Sequence, residues 1–262
     1  MNNNVKQLGQ VFTPRNIVVD ILNLMNYEGE KILNKHIIDN SCGDGAFLKV
    51  IVERYIDAYK KKHGSLVGIE KDLEVYIHGI EIDYKTYESC VSNLKEIASR
   101  FNINDVKWNI VYGDAIEDCS FDYKMDYVVG NPPYVRVHNL GNNFNKIRDY
   151  KFCKKGMTDL YILFYEIGFK MLNPNGTLCY ITPNSFYSSN AGRVFRQFIF
   201  DEKCLVKVID LGHYQPFKVS TYTTICMFVN NANNEKFKYY KYDLNGKYYF
   251  PFTKEFFNCK FS

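Results

Sequence analysis

The feature of the sequence that most restricts its fold is an alternation of short apolar runs with longer amphipathic stretches. Apolar runs of about four to eight residues favour buried strands, and apolar residues that recur every three or four positions favour helices. The predicted strands are residues 36–39, 76–82, 106–112, 125–129, 177–181, 205–211 and 222–229. Strands that alternate with helices predict an α/β fold with a doubly wound, mostly parallel sheet.

Apolar residues at helical spacing predict helices between these strands. The first helix follows Thr13 and Pro14, because threonine is a favoured N-cap and proline suits the first helical turn. Further helices are predicted at residues 47–62, 84–101, 159–172 and 191–201. In such sheets ligands bind beyond the carboxyl ends of the strands, so residues that directly follow a strand are the candidates for a functional site.

The length and composition allow one large core with a small appendage. Of the 262 residues, 46% are hydrophobic, which suits an α/β domain. Polar residues interrupt the apolar pattern at 230–234, so we expect a boundary near residue 231. Residues 1–230 are predicted to form the main domain. Residues 231–262 are predicted to begin a C-terminal region that is too short for a core of its own.

Composition also excludes several classes of protein. The sequence contains no apolar run long enough to span a bilayer and no secretory signal, so we expect a cytoplasmic protein. The eight cysteines form no CxxC pair and the five histidines are dispersed, so we expect free thiols and no metal. A net charge of +4 allows a polyanionic partner only through a local basic surface.

A glycine-containing segment follows the first predicted strand. It comprises Asp39, Asn40, Ser41, Cys42, Gly43, Asp44 and Gly45. Glycines let a backbone approach a ligand closely, and the helix start that follows offers unpaired N–H groups. By itself the segment also fits an ordinary strand-to-helix turn or a dinucleotide enzyme.

Two further acidic residues close the next two strands. Glu81 can accept hydrogen bonds from both hydroxyls of a ribose, and Asp114 can accept one from an adenine amino group. Together with Asp39, they describe a pocket for an adenosine. The tripeptide at residues 68–70 imitates the segment around Glu81, but it precedes its strand, so we interpret it as a chance similarity.

The most specific motif is Asn131-Pro132-Pro133-Tyr134, directly after the fourth strand. A turn stiffened by proline is the simpler interpretation, but these residues suit one difficult reaction. The amino nitrogen of adenine is a poor nucleophile because its lone pair is delocalised into the ring. The Asn131 side-chain oxygen and the Pro132 carbonyl can accept both amino hydrogens, the prolines hold the acceptors rigid, and Tyr134 offers a stacking face.

These motifs resemble the adenine-N6 methyltransferases of restriction-modification systems, specifically the gamma-ordered group that includes the TaqI-like and Eco57I-like enzymes. The resemblance covers roughly residues 9–230. The segment at residues 9–14, Gly-Gln-Val-Phe-Thr-Pro, is similar to that group's N-terminal cofactor motif. The segments at residues 159–164, 172–186 and 210–224 are similar to its later motifs.

The resemblance implies a Rossmann-like fold with a seven-stranded sheet, an N-terminal helix and S-adenosylmethionine as cofactor. It implies a catalytic role for the loop from Asn131 to Tyr134, and Phe217 resembles the aromatic residue that packs on the other face of the flipped adenine, with Tyr222 as a second candidate. The implied cofactor-binding residues are Thr13, Asp39, Asn40, Ser41, Cys42, Gly43, Gly45, Glu81, Ile82, Asp114, Ala115, Asn131, Pro133 and Phe164.

The resemblance also implies double-stranded DNA as partner and a restriction-modification system in a prokaryotic cytoplasm. A basic cluster would grip phosphates beside the flipped base, although a solvated loop explains it equally well: Lys146, Arg148, Lys151, Lys154 and Lys155. In this group the recognition region follows the catalytic domain. We therefore expect a missing C-terminal domain or a separate specificity subunit to choose the target.

Two other functions remain open at this point. The first is methylation of a glutamine side chain in a protein, because the same catalytic loop suits any flat, amide-like nitrogen; the segment at residues 9–14 argues against it. The second is a nuclease or a non-catalytic DNA-binding subunit. Asp83-Tyr84-Lys85 loosely resembles a metal-dependent nuclease motif, but it lies at the start of a predicted helix.

Overall fold

The computed structural model describes residues 13–136, 147, 149–153, 159–217, 221–242, 248–249 and 255–257. Its helices are α1 (Arg15–Leu24), α2 (Ala46–His63), α3 (Ile69–Tyr76), α4 (Tyr84–Ser99), α5 (Leu160–Met171) and α6 (Arg193–Glu202). Its strands are β1 (Ile37–Asp39), β2 (Ile77–Glu81), β3 (Asn109–Tyr112), β4 (Met125–Gly130), β5 (Leu172–Pro183), β6 (Leu205–Asp210), β7 (Thr223–Val229), β8 (Lys236–Tyr242), β9 (Tyr248–Tyr249) and β10 (Glu255–Phe257).

All the strands belong to one sheet, in the order β10-β8-β6-β7-β5-β4-β1-β2-β3, with β9 paired to β8. The five neighbouring strands β5, β4, β1, β2 and β3 are parallel. Strand β7 lies between β5 and β6 and is antiparallel to both. Parallel neighbours need a crossover connection, whereas only residues 211–222 separate β6 from β7, which runs back beside it. The predicted α/β fold with a mostly parallel sheet is confirmed. The expected number of seven strands is wrong: the described residues form a ten-stranded sheet, because β8, β9 and β10 extend it beyond β6.

Helices cover both faces of the sheet, as a doubly wound fold requires. Successive strand residues enter different cores: Ile37 packs with α1 to α4 on one face, and Ile38 packs with α5 and α6 on the other. On β4, Val129 faces the same core as Ile37, and Val128 faces the same core as Ile38. Because side chains alternate across a strand, this division leaves the carboxyl ends of the strands as the exposed edge where loops can meet.

The sequence-based prediction for Thr13 as a helix cap is wrong. Helix α1 begins at Arg15 with Pro14 in the cap position, and no side chain caps it. The Thr13 hydroxyl instead accepts a hydrogen bond from Asn131, far along the chain. Helix α3 was not predicted. Gly68 starts it with a left-handed backbone (φ +83°), so Glu70 lies in its first turn and not at a strand end.

Strand β8 continues the sheet beyond β6, to which it is parallel. Residues 236–242 therefore lie in the same sheet as the main domain, and the boundary expected near residue 231 stays a prediction. Among the helices of the described residues, none has the length and apolar character needed to cross a membrane.

Candidate active site

The sheet register brings the glycine loop and the Asn-Pro-Pro-Tyr loop side by side. β1 lies between β2 and β4, and its last residue, Asp39, is paired with Gly79 on one side and Val129 on the other. The glycine loop at residues 40–45 leaves β1 at this point. The loop that begins at Asn131 follows Gly130, the last residue of β4. Because β1 and β4 are parallel neighbours, the two loops lie at the same edge of the sheet.

The glycine loop has a backbone shape that only glycine adopts readily. Gly43 and Gly45 have φ values of +56° and +87°. A side chain at Gly45 would also approach the Cys90 sulfur on α4 to 3.0 Å. Gly45 stands directly before the first turn of α2, so its small size lets α4 pack closely against the start of that helix.

Glu81 fixes the geometry between the glycine loop and the start of α4. Its two carboxylate oxygens accept hydrogen bonds from the backbone N–H groups of Gly43 (2.9 Å) and Asp83 (2.8 Å). Burial raises the pKa of Glu81, and these backbone donors oppose that rise. A carboxylate oxygen can accept more than one hydrogen bond, so this arrangement remains compatible with a ribose on the same carboxylate.

Asp39 is a buried carboxyl group beside two other acids. The Ser41 N–H donates to its Oδ1 at 3.1 Å. Burial raises the pKa of Asp39 to about 8; the Ser41 hydrogen bond opposes the rise, while the charges of Glu81 and Asp44 add to it. A cationic ligand at this edge would favour the ionised form.

The side chains of Asn40 and Cys42, two of the expected cofactor-binding residues, hold the glycine loop on the core. The Asn40 side-chain oxygen accepts a hydrogen bond from the Tyr180 hydroxyl at 2.8 Å. The Cys42 sulfur lies 3.9 Å from the Cys90 sulfur inside the core, and the Cys42 N–H donates to the Ile80 carbonyl. Neither residue presents its side chain at the surface of the loop.

The ends of β2 and β3 form the outer part of the edge. Asp114 accepts a hydrogen bond from the Ile116 N–H at 3.0 Å, which orders the turn after β3. The Gly113 N–H donates to the Glu81 carbonyl, so this turn is tied to β2. Ile82 is 48% exposed and Ala115 is buried. Ile82 lies between Glu81 and Asp83 in sequence, and its exposed side chain offers an apolar face for a flat ring.

The Asn-Pro-Pro-Tyr loop approaches the glycine loop so closely that only glycine fits at its base. A Cβ atom at Gly130 would lie 2.7 Å from Asp39 Oδ1. Asn131 follows directly, and its side-chain N–H donates to Thr13 Oγ1 at 3.1 Å. Pro132 is buried and Pro133 is partly buried. Residues from three separate segments of the chain therefore meet at Asn131.

Two aromatic rings meet beyond Asn131. The rings of Tyr134 and Phe217 lie edge to face with centroids 6.3 Å apart. The Tyr134 hydroxyl donates to the Ile181 carbonyl at 3.4 Å, and burial raises the pKa of Tyr134, which keeps it neutral. Tyr222, the second candidate for the partner ring, is 51% exposed and packs on His213 instead.

The remaining predicted residues either lie in the core or fall largely outside the described residues. Phe164 is a buried residue of α5 and belongs to the core between the sheet and helices α5 and α6. Of the basic cluster, only Lys151 lies among the described residues, and its backbone N–H donates to Glu166. Lys146, Arg148, Lys154, Lys155 and residues 9–12 lie outside the described residues.

The resemblance to a nuclease motif has a simpler structural explanation. The Asp83 side chain accepts a hydrogen bond from the Thr86 N–H and so caps α4. The Thr86 hydroxyl also donates to Asp83 Oδ1, and this bond, followed by the backbone bond, lowers the pKa of Asp83. Among the described residues, no three His, Cys, Asp or Glu side chains come together as a ligand set for a metal ion.

Sequence reasoning does not find two residues that shape the site, Gly130 and Tyr180, nor the contact of the Thr13 hydroxyl with Asn131. Gly130 carried a signal, because a glycine between an apolar strand and a functional loop often marks a close backbone approach. The other two contacts join residues 140 and 118 positions apart, respectively, and no local pattern reports them.

The fold and this edge define a class of protein. A similar solved structure is a Listeria monocytogenes protein assigned to the class I S-adenosylmethionine-dependent methyltransferases, with 18% identity, a TM-score of 0.63, and 84% of this chain and 60% of that one covered. The structure of DrdV in complex with DNA aligns with a TM-score of 0.70 at 16% identity, over 91% of this chain and 28% of that one. The expected fold is confirmed.

The family follows from the sequence comparison. The sequence model of the Eco57I restriction-modification methylases matches residues 30–217, and the chain belongs to this family. The Escherichia coli type II restriction enzyme and methyltransferase RM.Eco57I is 29% identical over 88% of this chain and 29% of its own length. The Geobacillus stearothermophilus type II methyltransferase M.BstVI is 30% identical over 87% of this chain and 43% of its own length. The chain thus spans less than half of either relative.

Proposed function

We propose that this chain transfers a methyl group from S-adenosylmethionine to the N6 amino group of an adenine in DNA. The observation that carries the proposal is the position of the Asn131-Pro132-Pro133-Tyr134 loop, which leaves β4 in contact range of the glycine loop after β1. Membership of a restriction-modification methylase family supports the general reaction. The choice of adenine rests on the loop.

The residues at the ends of β1 to β3 fit S-adenosylmethionine. This molecule carries a positive sulfonium, an ammonium group, ribose hydroxyls and an adenine amino group, which suit the carboxylates of Asp39, Glu81 and Asp114. The Ser41 hydroxyl is buried without a hydrogen-bond partner among the described residues, so it also suits a polar ligand. When bound, the cofactor supplies an electrophilic methyl group.

The catalytic loop would prepare the adenine nitrogen for that methyl group. Asn131 Oδ1 and the Pro132 carbonyl accept the two amino hydrogens, which draws the lone pair out of conjugation with the ring. The proline-stiffened backbone fixes both acceptors before the substrate arrives, so little reorganisation accompanies the reaction. Placement of the nitrogen near the methyl carbon supplies the rest of the rate enhancement.

The target base must leave the duplex to reach this edge. Tyr134 and Phe217 are the rings on which it would stack. Their centroids lie 6.3 Å apart in an edge-to-face arrangement, which leaves no room for a base between them, so a ring must both rotate and move away before a base can stack there. Phosphate contacts from the basic cluster around Lys151 remain part of the proposal. The target sequence would be chosen by a further domain or a separate specificity subunit, in a prokaryotic cytoplasm.

A tritium-transfer experiment tests the proposed reaction. The chain is incubated with methyl-tritiated S-adenosylmethionine and unmethylated duplex DNA of mixed sequence, and the DNA is digested to nucleosides. We expect label in N6-methyldeoxyadenosine. Asn131→Ala should lose transfer, whereas Asn16→Ala, which changes an exposed asparagine of α1, should not. Label in methylated cytosine or in protein glutamine would contradict the proposal.

A further inference from the structure

The Asn131 side chain must present one particular end of its amide to the substrate. An asparagine amide has an oxygen that accepts hydrogen bonds and an NH₂ group that donates them. The two ends have nearly the same shape, and rotation by half a turn exchanges them. A rotated amide would set N–H donors against the donors of the adenine amino group, so an active site of this kind needs something that fixes the amide.

Thr13 lies where it can fix that orientation. Asn131 Nδ2 donates to Thr13 Oγ1 at 3.1 Å. An acceptor at the NH₂ end leaves Oδ1 at the opposite end of the amide. Threonine is branched at Cβ, so its hydroxyl has few rotamers and holds its position.

The Thr13 hydroxyl is not used for helix capping, the usual role of a threonine before a helix. Helix α1 has no side-chain cap. Thr13 itself is buried, although Arg15, two residues further on, is largely exposed. Ile17, Val18 and Ile21 anchor α1 in the core with no exposed surface. The backbone that carries Thr13 is therefore held by α1, while the hydroxyl faces the catalytic loop.

We propose that Thr13 is a positioning residue, which accepts a hydrogen bond from Asn131 Nδ2 and so directs Asn131 Oδ1 towards the amino group to be methylated. This inference rests on the proposed function. It gives the N-terminal segment a part in catalysis that differs from cofactor binding. It also makes assembly of the acceptor site depend on docking of α1, 118 residues away from Asn131 in sequence.

Three variants separate positioning from other roles. Thr13→Val keeps the shape of the side chain but removes the acceptor, and Thr13→Ser keeps the hydroxyl. Thr182→Val is the matched control, because Thr182 is buried and bonds the Tyr165 hydroxyl rather than Asn131. We expect kcat of Thr13→Val to fall by roughly 100-fold, the effect of a misplaced reacting group. The KM for DNA and the affinity for S-adenosylmethionine should stay within about twofold of wild type.

The outcomes of the kinetic arm are distinct. Recovery of most of the rate in Thr13→Ser, with near-normal turnover in Thr182→Val, supports positioning. Unchanged kcat in Thr13→Val overturns the inference and leaves the proposed function standing. Loss of cofactor affinity without loss of kcat also overturns it, because that pattern indicates that Thr13 contacts the cofactor directly.

A second measurement is independent of turnover. In ¹H–¹⁵N spectra, the side-chain NH₂ pair of Asn131 is identified by its disappearance in Asn131→Ala. We expect Thr13→Val to shift one of the two proton signals and Thr13→Ser to restore it. An unshifted pair overturns the inference. If the wild type methylates no adenine while the shift is present, the proposed reaction fails and the Thr13 contact stands.

Discussion

Asp39 offers the sharpest test of the electrostatics at this edge, through the pH dependence of folding. Burial, with the charges of Glu81 and Asp44, raises the pKa of Asp39 from 3.8 to about 8. The folded protein therefore binds this proton more tightly than the unfolded chain. The stability that the neutral carboxyl contributes is complete below about pH 4 and is lost as the pH rises towards 8.

The magnitude follows from the two pKa values. One pKa unit corresponds to about 1.36 kcal/mol. Between pH 6 and pH 8 the unfolded chain has already released the proton, while the folded protein passes from almost fully protonated to half protonated. The free energy of unfolding should therefore fall by about 2 kcal/mol over this interval because of Asp39 alone. Asp39→Asn cannot titrate and lacks this contribution.

Urea unfolding of wild type and Asp39→Asn at pH 6, 7 and 8 measures the effect. The difference in unfolding free energy between the two proteins should change by about 2 kcal/mol in favour of the variant as the pH rises. A constant loss of the Ser41 hydrogen bond cancels in this comparison. Asp57→Asn, at an exposed ion pair with Lys61, should show no such change. A pH-independent difference for Asp39→Asn would refute the reasoning.

Three further changes test the geometry of the site. Gly130→Ala should cost about 1–3 kcal/mol of stability by overpacking against Asp39, measured by urea unfolding; wild-type stability would contradict the close approach. Glu81→Ala should weaken S-adenosylmethionine binding at least about tenfold by calorimetry, because a charged acceptor and the anchor of Gly43 are lost together; unchanged affinity would remove Glu81 from the site. Phe217→Ala should raise the KM for DNA more than it lowers kcat, and equal losses in the two would argue against base stacking.

The order of strands and helices was largely predictable, because periodicity reports burial directly. Short elements were the exception. Helix α3 has only eight residues, of which Ile69 and Leu73 are buried, too few to show a helical period. The third strand was predicted from residue 106, but β3 begins at Asn109. Val106 is buried in the approach to the strand, and burial alone does not distinguish such a residue from a strand residue.

The site was predictable where its residues follow strands, and not where they meet through packing. The common position of Asp39, Glu81 and Asp114 could be predicted because strand ends in a parallel sheet share one edge; their binding of a cofactor stays a prediction. The second role of Glu81, as the anchor of Gly43 and Asp83, was not visible, because it depends on the path of the backbone around it. Thr13 was assigned to a cap because the local rule favours one, and a tertiary contact overrode that preference.

The antiparallel strand β7 places two proposed tasks on separate loops: methyl transfer on the loop after β4, and stacking of the target base on the segment between β6 and β7. Because β6 and β5 are both antiparallel to β7, β6 ends at the edge that also carries Asn131, and Phe217 lies among the residues that follow it. A loop between two neighbouring strands tolerates insertions at little cost in closure entropy. Phe217 can therefore be replaced or moved by changes in loop length, while the proline-stiffened loop after β4 stays intact. Exchange of this hairpin between relatives should therefore alter how the target base stacks, without rebuilding the methyl-transfer chemistry that we assign to the loop after β4.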